Sequence, residues 1–164
     1  MITIISGTNR LGNKSVQLAQ WYQHTLQRLG AAAKLFNLEE LPDDFLLASR
    51  YAEYDRSPAF LAIQEEYFFP AEKFIFIMPE YNGSIPGILK LVIDSCEVEQ
   101  AFYHKKACLT GLSSGRAGNL RGMDHLTNIL NYLKIQVYHN KLPVSRIFTE
   151  MDKEGQLLHT SAHQ

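Results

Sequence analysis

The chain has little of what marks a membrane, secreted or nucleic-acid-binding protein. Its only cysteines, Cys96 and Cys108, form no CxxC pair, and we expect both to be inert buried thiols. No apolar run approaches the roughly 18 residues of a membrane-spanning helix, and the N-terminus lacks the basic and apolar segments of a signal peptide. The formal net charge of −1 gives no sign of a nucleic-acid partner. The sequence therefore predicts a cytoplasmic protein without a membrane or nucleic-acid partner.

The length and composition fit one globular domain. A chain of 164 residues can bury roughly two thirds of its unfolded surface without a disulfide or metal. Apolar residues make up 46% and charged residues 20%, which is ordinary for a globular protein. The pattern of alternating segments fades beyond Pro143. We expect a single domain over residues 1–164, with about 145–164 as a weakly structured C-terminal tail.

Five short apolar runs predict β-strands, at 2–6, 34–38, 73–78, 107–112 and 135–138. Helical periodicity lies between them, at 14–29, 60–68, 88–101 and 115–133, whereas 43–58 shows none. This alternation predicts a parallel sheet that is covered on both faces. Right-handed crossovers then bring the loops after strands one, three and four to the same edge, where ligands of such sheets bind.

The first of these loops, SGTNRLGNKS at 6–15, suits an anion. The N-terminus of the following helix supplies free backbone N–H groups and a favourable dipole. Thr8, Asn13 and Ser15 add side-chain donors, and Arg10 adds a positive charge suited to a phosphate. The alternative is a polar turn in which Ser15 only caps the helix.

The same loop nearly matches the nucleoside-triphosphate motif GxxxxGK[ST]. Gly7 and Gly12 have the spacing of that motif, but Asn13 is inserted before Lys14. One extra residue turns a helical side chain by about 100°, so Lys14 would not point at the phosphates. No apolar strand ends in an aspartate that could hold magnesium. These departures disfavour hydrolysis of a nucleoside triphosphate.

The second loop, PEYNGSIPG at 79–87, suits a flat ring system that forms hydrogen bonds. Asn82-Gly83 tolerates positive φ and exposes backbone amides, while Pro79 and Pro86 stiffen the flanks. An ordinary turn could carry the same letters. It would not need to be so long, or so rigid at both ends.

The third loop, GLSSGRAG at 111–118, offers small residues for a close approach and hydroxyl donors. It also matches G-x-S-x-G, the nucleophile elbow of serine hydrolases, with Ser113 as the nucleophile. Asp152, His159 and His163 follow in the order that such a triad needs. The hydrolase alternative leaves the first two loops without a role, and it takes its acid and base from the tail.

Together, the segments SGTNR, PEYNGSIPGILK and GLSSGRAG resemble, in this order and spacing, the NADPH-dependent FMN reductase family of flavodoxin-like proteins. The resemblance runs from residue 2 to about 144, and PEYNGSIPG is its most specific part. It implies an α/β, flavodoxin-like three-layer sandwich with a five-stranded parallel sheet of order 2-1-3-4-5. It also implies non-covalently bound FMN and a homodimer or homotetramer.

The resemblance implies three groups of cofactor-binding residues. Those that would hold the FMN phosphate are Thr8, Arg10, Asn13 and Ser15. Those that would wrap the isoalloxazine ring are Pro79, Glu80, Tyr81, Asn82, Gly83 and Ser84. Those that would border the ring from the third loop are Ser113, Ser114 and Gly115. The family often has Ser-x-Asn where this chain has Asn13-Lys14-Ser15, so the phosphate donors are exchanged and their geometry changes.

The implied activity is that of an NAD(P)H-dependent FMN reductase, a quinone-reductase-like oxidoreductase. Hydride passes from NADPH or NADH to FMN, and electrons pass on to a small acceptor: a quinone, an azo compound, a metal oxyanion or free flavin. The flavin carries the hard step, so we predict no catalytic side chain and no metal site. An FMN-binding electron carrier or sensor without its own nicotinamide turnover is the alternative.

Two features outside these groups remain open. Arg116 and Arg121 lie in or just after the third loop, where either could meet a nicotinamide phosphate or a neighbouring subunit. The predicted helix at 88–101 is apolar around much of its circumference. That pattern favours a subunit interface, with packing against a neighbouring helix of the same chain as the alternative.

Overall fold

The strands form one parallel sheet in the computed structural model, which describes residues 1–46, 57–152 and 155–158. They are β1 (Ile2–Ser6), β2 (Ala33–Asn37), β3 (Lys73–Pro79), β4 (Lys106–Leu112), β5 (Gln136–Val137) and β6 (Leu142–Val144). The order is β2-β1-β3-β4-β5, and β6 also pairs with β4. The predicted flavodoxin-like order is therefore confirmed. The last predicted strand is short, and β6 continues the pairing with β4 after a break.

The helices that join the strands are α1 (Lys14–Arg28), α2 (Pro58–Ile63), α3 (Gly87–Ser95), α4 (Val98–Phe102), α5 (Leu120–Tyr132) and α6 (Ile147–Glu150). A π-helical turn, Gln64–Phe68, continues α2, and 3₁₀ turns span Leu38–Glu40 and Asp43–Leu46. The region predicted as a loop at 43–58 lies mostly outside the described residues.

The single helix predicted at 88–101 is two helices. The backbone is extended at Cys96, with ψ 155°, and α4 begins after Glu97. The Ser95 hydroxyl donates to the Leu91 carbonyl at 2.7 Å, which is typical of serine near a helix end. Apolar periodicity runs through the break because residues on both sides face the same core.

The sheet separates two apolar cores because successive residues of a strand face opposite sides. In β1, Ile4 belongs to one core and Ile5 to the other, and both are fully buried. The larger core, beneath α2 to α5, is rich in phenylalanine: Phe36, Phe68, Phe74, Phe76 and Phe102. The smaller core lies beneath α1 and α6 and comprises Ile4, Leu18, Ala19, Ile77, Leu112, Val144, Ile147 and Met151.

The described residues after Val144 have more structure than the sequence predicts. We expected a weakly structured tail at about 145–164, yet Ile147 and Met151 are buried, and Met151 forms an antiparallel bridge with Leu157. The Ile147 N–H donates to the Ser113 carbonyl at 3.0 Å. Elements this short cannot show a periodic apolar pattern, so the sequence gives no signal for them.

The two cysteines differ in exposure. Cys96 is buried as expected, but Cys108, in β4, is exposed, so that part of the expectation is wrong. The expectation assumed that both faces of β4 are covered along their whole length, whereas the described residues leave the face at Cys108 open. No helix in the described part of the chain is long and apolar enough to cross a membrane.

Candidate functional site

A cavity of about 320 Å³ opens at the carboxyl edge of the sheet, the edge at which the strands end. We call it the loop cavity, because the loops after β1, β3 and β4 all line it, as predicted. Its volume lies in the range of small-molecule sites. Its lining comprises Arg10, Leu11, Gly12, Asn13, Lys14, Ser15, Pro79, Glu80, Tyr81, Leu112, Ser113, Ser114, Ile147 and Phe148.

Asn13 fixes the shape of the first loop. Its Oδ1 accepts from the Val16 N–H at 2.9 Å and so caps α1. Its Nδ2 donates to the Arg10 carbonyl at 2.8 Å and to the Glu39 carboxylate at 2.6 Å. With both amide hydrogens engaged, the Asn13 side chain holds the loop closed against α1 and the 3₁₀ turn that contains Glu39.

Ser15 is the predicted phosphate ligand whose hydroxyl is most clearly available. Its side chain is 1% exposed, and its hydroxyl bonds to none of the described residues. A buried polar group without a partner costs about 1–3 kcal/mol, which an oxygen-bearing ligand would relieve. The hydroxyl lies in the first turn of α1, where backbone N–H groups lack intrahelical acceptors and the helix dipole favours an anion. Exposed Arg10 adds positive charge to the same lining.

The second loop folds across the first. Thr8 is fully buried, and its hydroxyl shares a hydrogen bond of 2.9 Å with the Tyr81 hydroxyl. Tyr81 and Ser84 exchange two backbone hydrogen bonds of 3.0 Å, which makes a closed turn. Asn82 and Gly83 form its tip with φ values of 51° and 74°, as the Asn-Gly pair predicts.

Asn119, which the sequence analysis missed, ties the second loop to the third. It is fully buried, and its Nδ2 donates to the Met78 carbonyl at 3.2 Å and the Pro79 carbonyl at 3.1 Å. Its backbone has φ 60°, immediately before α5. A Gly-Asn pair ahead of an amphipathic helix is the signal that could have singled it out. Asn119 thus fixes the end of β3, where the ring-binding loop begins.

Ser113 shapes the third loop instead of standing ready as a nucleophile. Its hydroxyl donates to the Gly115 carbonyl at 2.8 Å and accepts from the Gly118 N–H at 2.8 Å. The Asp152 carboxylate accepts from the Gln156 N–H at 2.8 Å. His159 and His163 lie outside the described residues. Both hydrogen-bonding roles of the Ser113 hydroxyl are therefore taken, which argues against the hydrolase alternative.

Five of the predicted site residues lie outside the cavity lining, namely Thr8, Asn82, Gly83, Ser84 and Gly115. Ser84 instead reaches α5, where its hydroxyl shares a hydrogen bond of 2.8 Å with His125 Nδ1. Conversely, Leu11 and Phe148 line the cavity although the sequence analysis did not predict them. Their side chains are 83% and 69% exposed, so they form an apolar mouth that only the folded chain reveals.

Three comparisons with known proteins converge. The profile of the NADPH-dependent FMN reductase family matches residues 1–149. An NAD(P)H-dependent FMN reductase of Pseudomonas aeruginosa is 35% identical over 97 residues, which are 57% of this chain and 52% of that protein. A subunit of an NADH:(hydroxy)cinnamate reductase of Vibrio ruber is 29% identical over 128 residues, 77% of this chain and 60% of that protein. The match thus spans about half the length of the first relative.

The fold likeness extends to solved structures. The apo form of an NADH:FMN oxidoreductase aligns with a TM-score of 0.73 at 20% sequence identity. The alignment covers 94% of this chain and 81% of that one. At this identity the likeness concerns the fold, including the sheet edge that carries the three loops.

Proposed function

Because the chain belongs to the NADPH-dependent FMN reductase family, we propose that it binds FMN in the loop cavity and catalyses hydride transfer from NADPH or NADH to the flavin, then passes electrons to a small acceptor. The observation that carries the proposal is the buried Ser15 hydroxyl at the N-terminus of α1, which bonds to none of the described residues and lies in a cavity that all three loops share. FMN, when bound, supplies the redox chemistry. The residues of the chain bind it, orient it and limit the access of water.

The first loop fits the phosphate group. The Ser15 hydroxyl bonds to none of the described residues. The first turn of α1 adds backbone N–H groups without intrahelical acceptors, although the Val16 N–H already donates to Asn13. The Arg10 guanidinium can add a charge-assisted pair of hydrogen bonds. Asn13 acts by holding the loop in place, since its side chain is already engaged. Thr8 contributes through the hydrogen bond that joins it to Tyr81.

The second and third loops fit the ring. The N–H groups of Asn82 and Gly83 donate to none of the described residues, so they are available to the polar edge of an isoalloxazine. Pro79, Glu80 and Tyr81 line the cavity beside them. Ser113, Ser114 and Gly115 border the ring from the other side. The proposed cofactor site keeps all the predicted residues, with Thr8, Asn13 and Ser84 acting through the loop contacts that their side chains already make. Asn119 positions the second loop.

The proposed acceptor is a small oxidant that can reach the flavin through the open mouth of the cavity: a quinone, an azo compound, a metal oxyanion or free flavin.

We also propose a homodimer or homotetramer, with α3 at the interface. In α3, Leu89, Val92 and Ile93 are buried in the core of the chain, while Ile88 and Leu91 are only partly buried. Sedimentation of the FMN-loaded protein tests this, and a monomer would contradict it. A cytoplasmic location remains a prediction.

The proposal is tested by the visible spectrum of protein that has been incubated with FMN and desalted, before and after anaerobic NADPH and, separately, NADH. We expect a retained flavin spectrum that bleaches with at least one donor. Retained flavin that stays oxidised with both would favour the electron carrier or sensor. Loss of the flavin on desalting would overturn the proposal and return attention to the Ser113 hydrolase.

A further inference from the structure

The proteins that this chain resembles are named for different nicotinamide donors. The matching family is named for NADPH, the Pseudomonas aeruginosa relative for NAD(P)H, and the solved structure for NADH. NADPH differs from NADH by one phosphate on the adenosine ribose. A protein that prefers NADPH typically places an arginine against that phosphate.

Arg121 lies where the first turn of α5 meets the tip of the second loop. Its Nη1 is 3.8 Å, and its Cδ 3.9 Å, from the position that a Cβ would take on Gly83. One helical turn further, His125 holds the same loop through its hydrogen bond to Ser84. The Arg121 side chain, including its guanidinium, thus lies beside the tip of the ring-binding loop, and the residue is exposed.

Among the residues that the structure describes, Arg121 forms no ion pair and no hydrogen bond. The acid nearest to it on α5, Asp124, is paired with Lys141 at 2.7 Å. Arg10 lines the loop cavity at the proposed phosphate end, whereas Arg121 lies outside that lining. Arg121 is therefore a cation beside the second loop and separate from Arg10, the cation at the proposed phosphate end of FMN.

We propose that Arg121 binds the 2′-phosphate of NADPH and so makes the protein prefer NADPH over NADH, an inference that rests on the proposed function. The nicotinamide end of the donor must reach the ring beside the second loop. Its adenosine end can then extend over the turn at Asn82 and Gly83 to α5. The guanidinium presents two parallel donors to a phosphate dianion, which an NADH ribose cannot exploit.

Two measurements on FMN-loaded protein test this. The first is calorimetric titration with adenosine 2′,5′-bisphosphate and with 5′-AMP. We expect Arg121→Gln to weaken binding of the bisphosphate about 10- to 100-fold, as for a lost charged hydrogen bond, and to leave 5′-AMP unchanged. The second is steady-state turnover, in which KM for NADPH should rise by a similar factor while kcat and the NADH parameters hold. Arg121→Lys should weaken binding of the bisphosphate less than Arg121→Gln does, because lysine keeps the positive charge but lacks the two parallel N–H donors of arginine.

Arg28→Gln is the matched control. Arg28 is an exposed arginine in the last turn of α1, and removing it should change neither ligand's affinity. Three outcomes would each overturn the inference. In the first, Arg121→Gln impairs turnover with NADPH and NADH equally; in the second, the unmodified protein binds the two adenosine ligands equally well. In the third, Arg116→Gln weakens binding of the bisphosphate and Arg121→Gln does not. Failure of both donors to bleach the flavin would sink the proposed function separately, because the calorimetric result does not depend on turnover.

Discussion

The carboxyl edge of the sheet and its amino edge, where the strands begin, both carry a cavity, and they differ in what lines it. The loop cavity at the carboxyl edge, about 320 Å³, is lined by loop hydroxyls, turns and cations. A larger groove of about 520 Å³ at the amino edge lies over apolar sheet residues that include Ile2, Ile75, Cys108 and Val137. We call it the amino-edge groove. Convergent polar groups, more than volume, distinguish a site that binds a cofactor.

The same contrast appears in how each edge satisfies its buried polar atoms. Among the described residues, buried side-chain atoms without a hydrogen bond include Ser6 Oγ, Ser15 Oγ and Asn119 Oδ1, all at the carboxyl ends of strands or in the turns beyond them. At the amino edge, Lys105 donates to three carbonyls, those of Phe68, Phe69 and Gln100, at 2.7, 3.1 and 2.8 Å. Burial lowers the pKa of Lys105 to about 8. Lys105 is thus satisfied by neighbouring carbonyls, whereas Ser15 at the other edge leaves a donor for a ligand among the described residues.

The largest effect should come from filling the close approach under the third loop. A Cβ on Gly111 would collide with the Gly118 carbonyl oxygen and lie 2.9 Å from Asn119 Cβ. We expect Gly111→Ala to destabilise the protein by about 3 kcal/mol, which lowers Tm by about 6–12 °C for a chain of this size. FMN retention should fall with it, because Ser113 and Asn119 move. Thermal melting and desalting after FMN loading measure both effects.

Gly87→Ala is the control for this substitution. A Cβ at Gly87 meets nothing within 4 Å, and the residue begins α3. We expect its Tm to stay within about 2 °C of the unmodified protein, as for an ordinary surface change. If Gly111→Ala instead has the same Tm as the unmodified protein, the third loop can move to make room for the added methyl group. The close packing at Gly111 would then not determine the shape of the site.

A smaller effect should follow from Ser15→Ala, which we expect to preserve or raise the Tm of the ligand-free protein and to lower its affinity for FMN. Without ligand, the change removes a buried hydroxyl that bonds to none of the described residues, so Tm should stay the same or rise. With FMN, the phosphate loses a donor, and affinity should fall about 10-fold. Quenching of FMN fluorescence during titration measures the affinity.

Ser95→Ala is the matched control, because this buried serine bonds the Leu91 carbonyl within α3. That change should lower Tm and leave the affinity for FMN intact. An Ser15→Ala protein that is less stable without FMN, yet binds FMN normally, would show that the hydroxyl has an internal role and would remove the main support for the phosphate site.

The sequence predicts the carboxyl edge better than it predicts what supports it. β1, β3 and β4 are largely buried apolar runs, and glycine, asparagine or hydroxyl residues occur in the loop after each, so local chemistry locates the three loops. The supporting contacts join distant positions. Asn13 reaches Glu39, and Asn119 reaches back to Met78 and Pro79. No local pattern encodes such pairs.

The exposure of the sheet at its amino edge could not be predicted from the sequence, for a related reason. An apolar strand in a parallel sheet predicts cover on both faces, and this holds for Ile4 and Ile77 beneath α1. It fails at Cys108 because the described part of the smaller core does not extend that far along β4. Which half of a strand lies beneath a helix depends on how the helix crosses the sheet, and apolar periodicity does not record that.

The smallest effect should come from modifying Cys108, which lines the amino-edge groove. Burial raises the pKa of the Cys108 thiol, and alkylation requires the thiolate, so iodoacetamide should react more slowly than with free cysteine, whose pKa is about 8.5. For the same reason, the rate should keep rising with pH where the rate for free cysteine has already levelled off. Cys96 is buried and should not react in the folded protein.

Mass spectrometry should therefore find one modified thiol per folded chain, none in Cys108→Ser, and two after unfolding of the unmodified protein. The affinity for FMN should be equal before and after alkylation, since the groove lies at the opposite edge of the sheet from the loop cavity. Release of FMN on alkylation of Cys108 would show that the two edges are coupled, and that the amino-edge groove bears on the site after all.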